Sequence, residues 1–293
     1  MVLLPHKRLL SQLFVHKSQI SPSPKMEFSL QAFESQISKN LSQLALSIPH
    51  NGLPTLPWLH QCLHLLPEIE KAFTKLVSDI DHPMTTWEIT SIEKCLNHSF
   101  IYLNLLNSIT SSISHLQEAR LATAHALSSR KRVKIPSSII VERENKWGGD
   151  REEGEEECCG SSGHEEEILS QALRVMGRVR WFVCVIVESG IRGDVELFVD
   201  SLKGVGGLFN MSSSLRPLNE EILRRKGGVI GEVDEINVVL SCGDGSRVDE
   251  VQEKVEELGK ELDSIGEDVN KLFSEAMAQR NHLLDSFQQR KQS

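Results

Sequence analysis

Aromatic residues are scarce, at 5% of 293 residues with a single tyrosine, so a core has to be filled by Leu, Ile and Val. The hydrophobic share of 39% suffices for one large helical domain or two smaller ones. Long apolar runs are missing as well. A membrane-spanning helix needs roughly 20 apolar residues. The best stretch, Trp181 to Val187, is preceded by Arg178 and Arg180 and followed by Glu188, and reads as a buried helix segment. Cysteines at 62, 95, 158, 159, 184 and 242 keep no compact spacing, and no secretory signal accompanies them. That excludes a disulfide framework and points to a reducing compartment, with Cys62, Cys95 and Cys184 as small buried hydrophobes. Positive charge is in deficit, giving a formal net charge of −9, which argues against a general nucleic-acid binder. Only Trp181 to Val187 and Val229 to Leu240 carry β-branched runs, too few for a sheet.

Helical periodicity is what remains, and it is plentiful. The spacing predicts a first helix over about Leu30 to Leu46, striped by Phe33, Ile37, Leu41 and Leu44 and ended by Pro49 and Asn51-Gly52. A second begins near Leu56 and Pro57, with Pro67 expected to kink or divide it. Thr85-Thr86-Trp87-Glu88 has the form of a capping box for a third helix running to about Leu127. That helix would be about 40 residues, or some 60 Å, long. Leu103, Leu106 and Ile113 are expected to be buried against the first two helices.

A terminal helix carries apolar residues at alternating steps of three and four: Val248, Val251, Val255, Leu258, Leu262, Ile265, Val269, Leu272 and Ala276. Such a narrow seam needs a cover. It suits either an intermolecular coiled coil or packing within the chain. Gly259, Gly266 and Ala276 weaken an isolated coil, and the upstream stripes themselves need covering. Leu258, Leu262, Ile265, Val269 and Leu272 are therefore the expected packing and interaction seam, with contacts to the long third helix.

These readings give an all-α fold: an elongated antiparallel bundle with a long, coiled-coil-like C-terminal helix and a disordered central linker. The expected divisions are a basic leader at 1–25, a helical half at 26–128, a charged linker at 129–167, and a second half at 168–293 packing on the first. Residues 1–25 hold no acid, four basic residues and several serines. They fit an organellar transit peptide, a basic helix on an anionic membrane surface, or a disordered leader before Met26. Residues from Glu142 to Glu167 are mostly acids, glycines and serines, too polar to offset chain entropy. The second half is expected to open at Ile168, with short helices near Asn219 and Val233.

No constellation of catalytic residues is legible. His60, His64 and Glu68 share one helical face at a spacing that can bind a metal, yet no further ligand is evident, so they read as a polar rim. Cys158, Cys159 and His164 lack the spacing of structural zinc sites. Lys203-Gly204-Val205-Gly206-Gly207 lacks the order of a phosphate-binding loop and reads as a hinge. The basic run 130–134 suits an import receptor or anionic lipid, but a helix C-terminus favours such charges by its dipole alone. No G-x-S-x-G is present. Catalytic residues, cofactors, metals, a small-molecule substrate and nucleic acid are all expected to be absent.

The runs Leu56-Pro57-Trp58-Leu59, Val77-Ser78-Asp79-Ile80, Thr86-Trp87-Glu88 and Leu103 to Ile109 resemble the plant BYPASS family. So do Leu272-Phe273, Arg280-Asn281 and Leu283-Leu284-Asp285 near the end. The resemblance covers about 30–128 and 248–287 and rests on helix-packing patterns, not on a chemical signature. It implies a plant-specific helical protein of root and shoot development, linked to restraining a mobile root-to-shoot signal, with no catalytic residues to carry over. Some members have a longer apolar segment and are considered membrane-associated. Here Arg178, Arg180, Glu188, Arg192 and Asp194 interrupt the corresponding stretch. The expectation is a non-enzymatic regulator or scaffold working through an unidentified protein partner. The alternative is a peripheral membrane adaptor held by residues 1–25. Cytoplasm or a membrane periphery is the expected location, with the chloroplast also open.

Overall fold

The computed structural model describes residues 24–47, 54–129, 134–136, 163–194, 230–242 and 247–292. They form an all-α fold of helices α1 (Pro24–Leu46), α2 (Leu56–Asp79), α3 (Ile89–Ser128), α4 (His164–Arg192), α5 (Gly231–Cys242) and α6 (Val248–Gln292). A short 3-10 turn, Met84–Thr86, joins α2 to α3.

Each boundary has a local cause. Thr55 caps α2 by accepting from the Trp58 amide at 3.3 Å, with proline in the first turn where its missing N–H costs nothing. The helix then runs unbroken through Pro67. A proline inside a helix costs about 3 kcal/mol. Against that, Leu63, Leu66, Ile69 and Phe73 are all buried across the site. At about 1.5–3 kcal/mol for each fully buried side chain, burial outweighs the lost hydrogen bond. The expected division at Pro67 is therefore not found. α4 ends at Gly193, whose φ of 71° is the left-handed conformation that terminates helices and favours glycine.

Four helices close a ring in which α2 packs on α4, α4 on α3, α3 on α6, and α6 on α2. The outer two are α1, lying on α2 and α4, and α5, lying on α6. Side-chain pairs fix the directions. Gln117 donates to Asp263 and Arg280 to Ser99, so α3 and α6 are antiparallel. Glu70 pairs with Arg180 while Leu59 lies beside Gly190, so α2 and α4 are antiparallel too. By contrast, Ser91 meets Glu166, Lys94 meets Ser170 and Ser108 meets Glu188, so α3 and α4 run parallel. A parallel pair needs a connection returning the length of the bundle. From Ser91 to Ser128 that is about 55 Å along the helix, a span that the chain between Ser128 and His164 has ample length to reach.

This ring corrects one expectation. Leu103, Leu106 and Ile113 are buried, but α3 packs chiefly on α4 and α6, not on α1 and α2. α4 is the reason, because it lies between α2 and α3. Every residue from Phe182 to Arg192 is buried, as expected of a helix covered on several sides. At the end of the bundle where α1 begins, Phe33, Phe73 and Trp87 form a chain of edge-on aromatic contacts, with centroids 6.4 and 6.3 Å apart.

Two parts of the expected linker at 129–167 are ordered. Ile135 is buried, and its backbone N–H and C=O are both held by the Asn237 side chain, at 3.0 and 2.9 Å. The basic composition around Ile135 masks this single anchor. α4 begins at His164, not Ile168, because Glu166 is drawn inward. The rest of the linker, the glycine-rich 203–207 segment, Cys158, Cys159, Asn219 and most of the leader lie outside the described residues. Val233 falls within α5.

Candidate functional site

Three polar clusters stand out, and each tests a different chemistry. The first lies where α2, α3 and α4 meet. His82 Nε2 is 3.1 Å from Glu166 Oε1, and His82 Nδ1 is 3.2 Å from the Thr86 hydroxyl. Hydroxyl, imidazole and carboxylate in series have the outline of a nucleophilic triad. The surroundings remove that reading. The Thr86 hydroxyl donates to the Pro83 carbonyl at 2.7 Å. The nearby backbone N–H groups that would stabilise an oxyanion are spent: Thr86 on Pro83, Trp87 on Met84, and Glu88 on Glu166.

Glu166 is instead a helix cap supplied from another helix. Its carboxylate accepts from the Glu88 backbone N–H and the Ser91 hydroxyl, both at the first turn of α3. Burial alone would raise its pKa. The hydrogen bonds from Ser91, Glu88 and His82, together with the His82 charge, bring it below the ordinary carboxylate value. The capping box expected at Thr85 to Glu88 is accordingly absent. Thr85 and Thr86 belong to the 3-10 turn, and Glu88, the N-cap residue, makes no side-chain cap. A carboxylate placed by tertiary packing has displaced the local one.

The second cluster lies inside the bundle along α4. The Arg180 guanidinium pairs with Glu70 and sits 4.9 Å from the Tyr102 ring centre. Burial lowers its pKa to about 10, and the nearby Cys184 works in the opposite direction, so it stays charged at neutral pH. One helical turn before the C-terminus, Glu188 accepts from Ser108 at 2.8 Å and from Arg192 at 3.0 Å. Burial pushes the thiols of Cys62 and Cys184 well above their usual range and that of Cys95 to about 11. A thiol held protonated is a poor nucleophile. These groups are therefore built for packing.

The third cluster joins α2 to α6. His60 Nε2 is 2.5 Å from Asp268 Oδ2, and His64 Nε2 is 3.5 Å from the same oxygen. The two rings lie 4.7 Å apart. His64 is exposed, while His60 and Asp268 are half-buried. Glu68, which shares the sequence spacing, turns away to pair with Lys71 at 2.7 Å. Asp268 is the group that sequence reasoning missed. Only its place beside Val269 in the apolar seam hinted that it would face a neighbouring helix.

Val248, the first residue of the expected seam, is exposed, and the seam turns inward from Val251. Leu258, Leu262, Ile265, Val269 and Leu272 are all buried in a helix that packs along α3. A Cβ at Gly259 would come within 2.8 Å of the Arg120 guanidinium, so the Arg120 side chain of α3 lies over this glycine. Gln117, held by Arg120, donates to the Gly259 carbonyl and to Asp263. An open groove between α1 and α2 is lined by Gln36, Asn40, Leu44, Gln61, His64 and Leu65 among others. No described helix is long and apolar enough to cross a membrane.

With this geometry in place, the chain resembles curated proteins of plants. It is 24% identical over 249 residues to UPF0496 protein 4 of rice, in both the japonica and indica subspecies, covering 75% of this chain and 54% of that protein. It is 26% identical over 125 residues to Protein BPS1, chloroplastic, of Arabidopsis thaliana, covering 42% of this chain and 33% of that protein. The relatives are plant proteins. The chain thus spans about half the length of the rice relatives it matches. No protein-family profile matches the chain. No solved structure matches it either.

Proposed function

We propose that this chain is a non-enzymatic helical regulator or scaffold in plant root and shoot development, of the kind that restrains a mobile root-to-shoot signal. The similarity to the Arabidopsis and rice proteins carries this reading. The architecture supports it, since the polar clusters among the described residues serve as caps and interhelical ties, and the buried thiols are held protonated. Action would then run through contacts with a protein partner on the outer faces of the bundle.

Grafting tests the developmental role. Rootstock lacking this protein should arrest leaf growth in a wild-type shoot, and restoring the full chain in the root should rescue it. Reciprocal grafts indistinguishable from wild type would overturn the role. Proximity labelling from the full chain in root tissue then identifies the partner.

A second reading rests on the acid-free, basic composition of residues 1–25: attachment to an anionic membrane surface. The full chain should then float with anionic vesicles while a chain starting at Met26 does not. The word chloroplastic in the Arabidopsis protein's name supports testing import as well. A fluorescent fusion that enters plastids only with residues 1–25 in place would favour import over surface attachment.

A further inference from the structure

We infer that His60, His64 and Asp268 form a binding site for a zinc-class divalent metal ion, stapling α2 to α6. This is independent of the developmental reading. The observation is convergence: two imidazoles four residues apart on α2 both aim Nε2 at one carboxylate oxygen of α6, at 2.5 and 3.5 Å. The three potential ligand atoms all lie within 4.8 Å of one another. A tetrahedral zinc ion with ligands at about 2.0–2.1 Å holds its donor atoms roughly 3.4 Å apart. The two nitrogen–oxygen separations of 2.5 and 3.5 Å lie within about 1 Å of that spacing.

The donor set selects the metal. Two neutral imidazoles and one carboxylate suit zinc and its neighbours, whereas magnesium and calcium prefer all-oxygen shells. Three protein ligands leave the fourth position to water. His64 is 62% exposed at its side chain, so the ion can enter from solvent without opening the bundle. The described ion pairs of Asp268 are those with the two histidines, so an arriving cation meets a carboxylate not already held by lysine or arginine.

The consequence is mechanical. Positions 60 and 268 are separated by 208 residues, so the ion ties the start of the bundle to its last helix. Ligation by one site of the folded state alone raises stability by mass action. The chain then has a metal-loaded form, with α2 and α6 locked, and a metal-free form held by packing.

The test uses the full-length protein stripped with chelator. Zinc titration by calorimetry should give about one site per chain, with a rise in thermal midpoint of about 5 °C at saturation. Cobalt should give a tetrahedral visible spectrum without a thiolate charge-transfer band, separating this site from the cysteines. His64→Gln and Asp268→Asn should each weaken zinc binding at least about 10-fold. Exposure of His64 lets the first fold normally, and circular dichroism checks both. Equal zinc affinity in both variants and the parent chain, or no zinc-dependent rise in thermal midpoint, overturns the site.

Discussion

Replacing Glu166 by glutamine keeps the side-chain volume and removes the charge, so it isolates what the carboxylate does for the first turn of α3. The acid accepts from the Glu88 N–H, the Ser91 hydroxyl and His82. Hydrogen bonds to a charged acceptor contribute about 1.5–3 kcal/mol each, against about 0.5–1.5 for neutral ones. Three bonds losing about 1 kcal/mol apiece give roughly 3 kcal/mol. The loss of an anion at the helix N-terminus adds about 0.3–1 kcal/mol more. The glutamine also presents an NH₂ to groups that are themselves donors. Urea unfolding followed by circular dichroism should therefore show about 3–4 kcal/mol lost at pH 7. The pH dependence carries the sharper test. The folded-state pKa of Glu166 lies below its ordinary value. Its contribution is thus complete above the unfolded carboxylate pKa of about 4.3 and is lost as pH falls through the folded value. The gap between parent and variant should close across that acidic window. A difference under about 0.5 kcal/mol at pH 7, or one that persists unchanged at the acid end, would refute the capping argument.

Leu262→Ala removes a fully buried residue from the α3–α6 interface and should cost about 2–5 kcal/mol in urea unfolding, with the sedimentation coefficient unchanged. A thermal midpoint that becomes concentration-dependent would instead place the seam between chains. Gly190→Ala puts a Cβ 2.9 Å from the buried Leu59 side chain. Overpacking of about 1–3 kcal/mol should exceed the roughly 1 kcal/mol gain in helix propensity, so a stabilised variant would contradict the tight α2–α4 approach. Cys62 and Cys184 should resist thiol reagents in the native chain and react after unfolding, as read by peptide mass spectrometry. Labelling of either under native conditions would mean that α2 or α4 opens readily.

Most of the fold was legible because helical periodicity is a local signal. Phe33, Ile37 and Leu41 announce the buried face of α1, and the three-four spacing from Val251 to Ala276 announces that of α6. Neighbour choice is legible only in part. The cover of the α6 seam is legible, since α6 lies on α3 as its pattern leads one to expect, but the cover of α3 is not, because α4 takes the place expected of α1 and α2. The caps show the same division. Thr55 serves its own helix and could be read from Thr-Leu-Pro. Glu166 and Glu232 serve helices far away in sequence, α3 and α2 respectively, and nothing local marks them. The metal-site candidate was half legible, since the i and i+4 histidines are a helical pattern and Asp268 is a tertiary fact.

The ionic groups along α4 explain how a helix so thoroughly buried keeps one alignment. An apolar surface on a parallel neighbour tolerates a slip of one turn, about 5.4 Å, with leucines exchanging places at modest cost. The polar contacts forbid it. Glu166 meets Ser91, Arg180 meets Glu70 and Tyr102, and Glu188 meets Ser108, three levels spread along the helix. A slip breaks all three at once, and separating the Arg180–Glu70 pair alone costs about 3–5 kcal/mol. The same residues account for α4 lacking a stretch apolar enough to cross a membrane. Charges that would oppose insertion are the ones that hold α4 in step with α2 and α3.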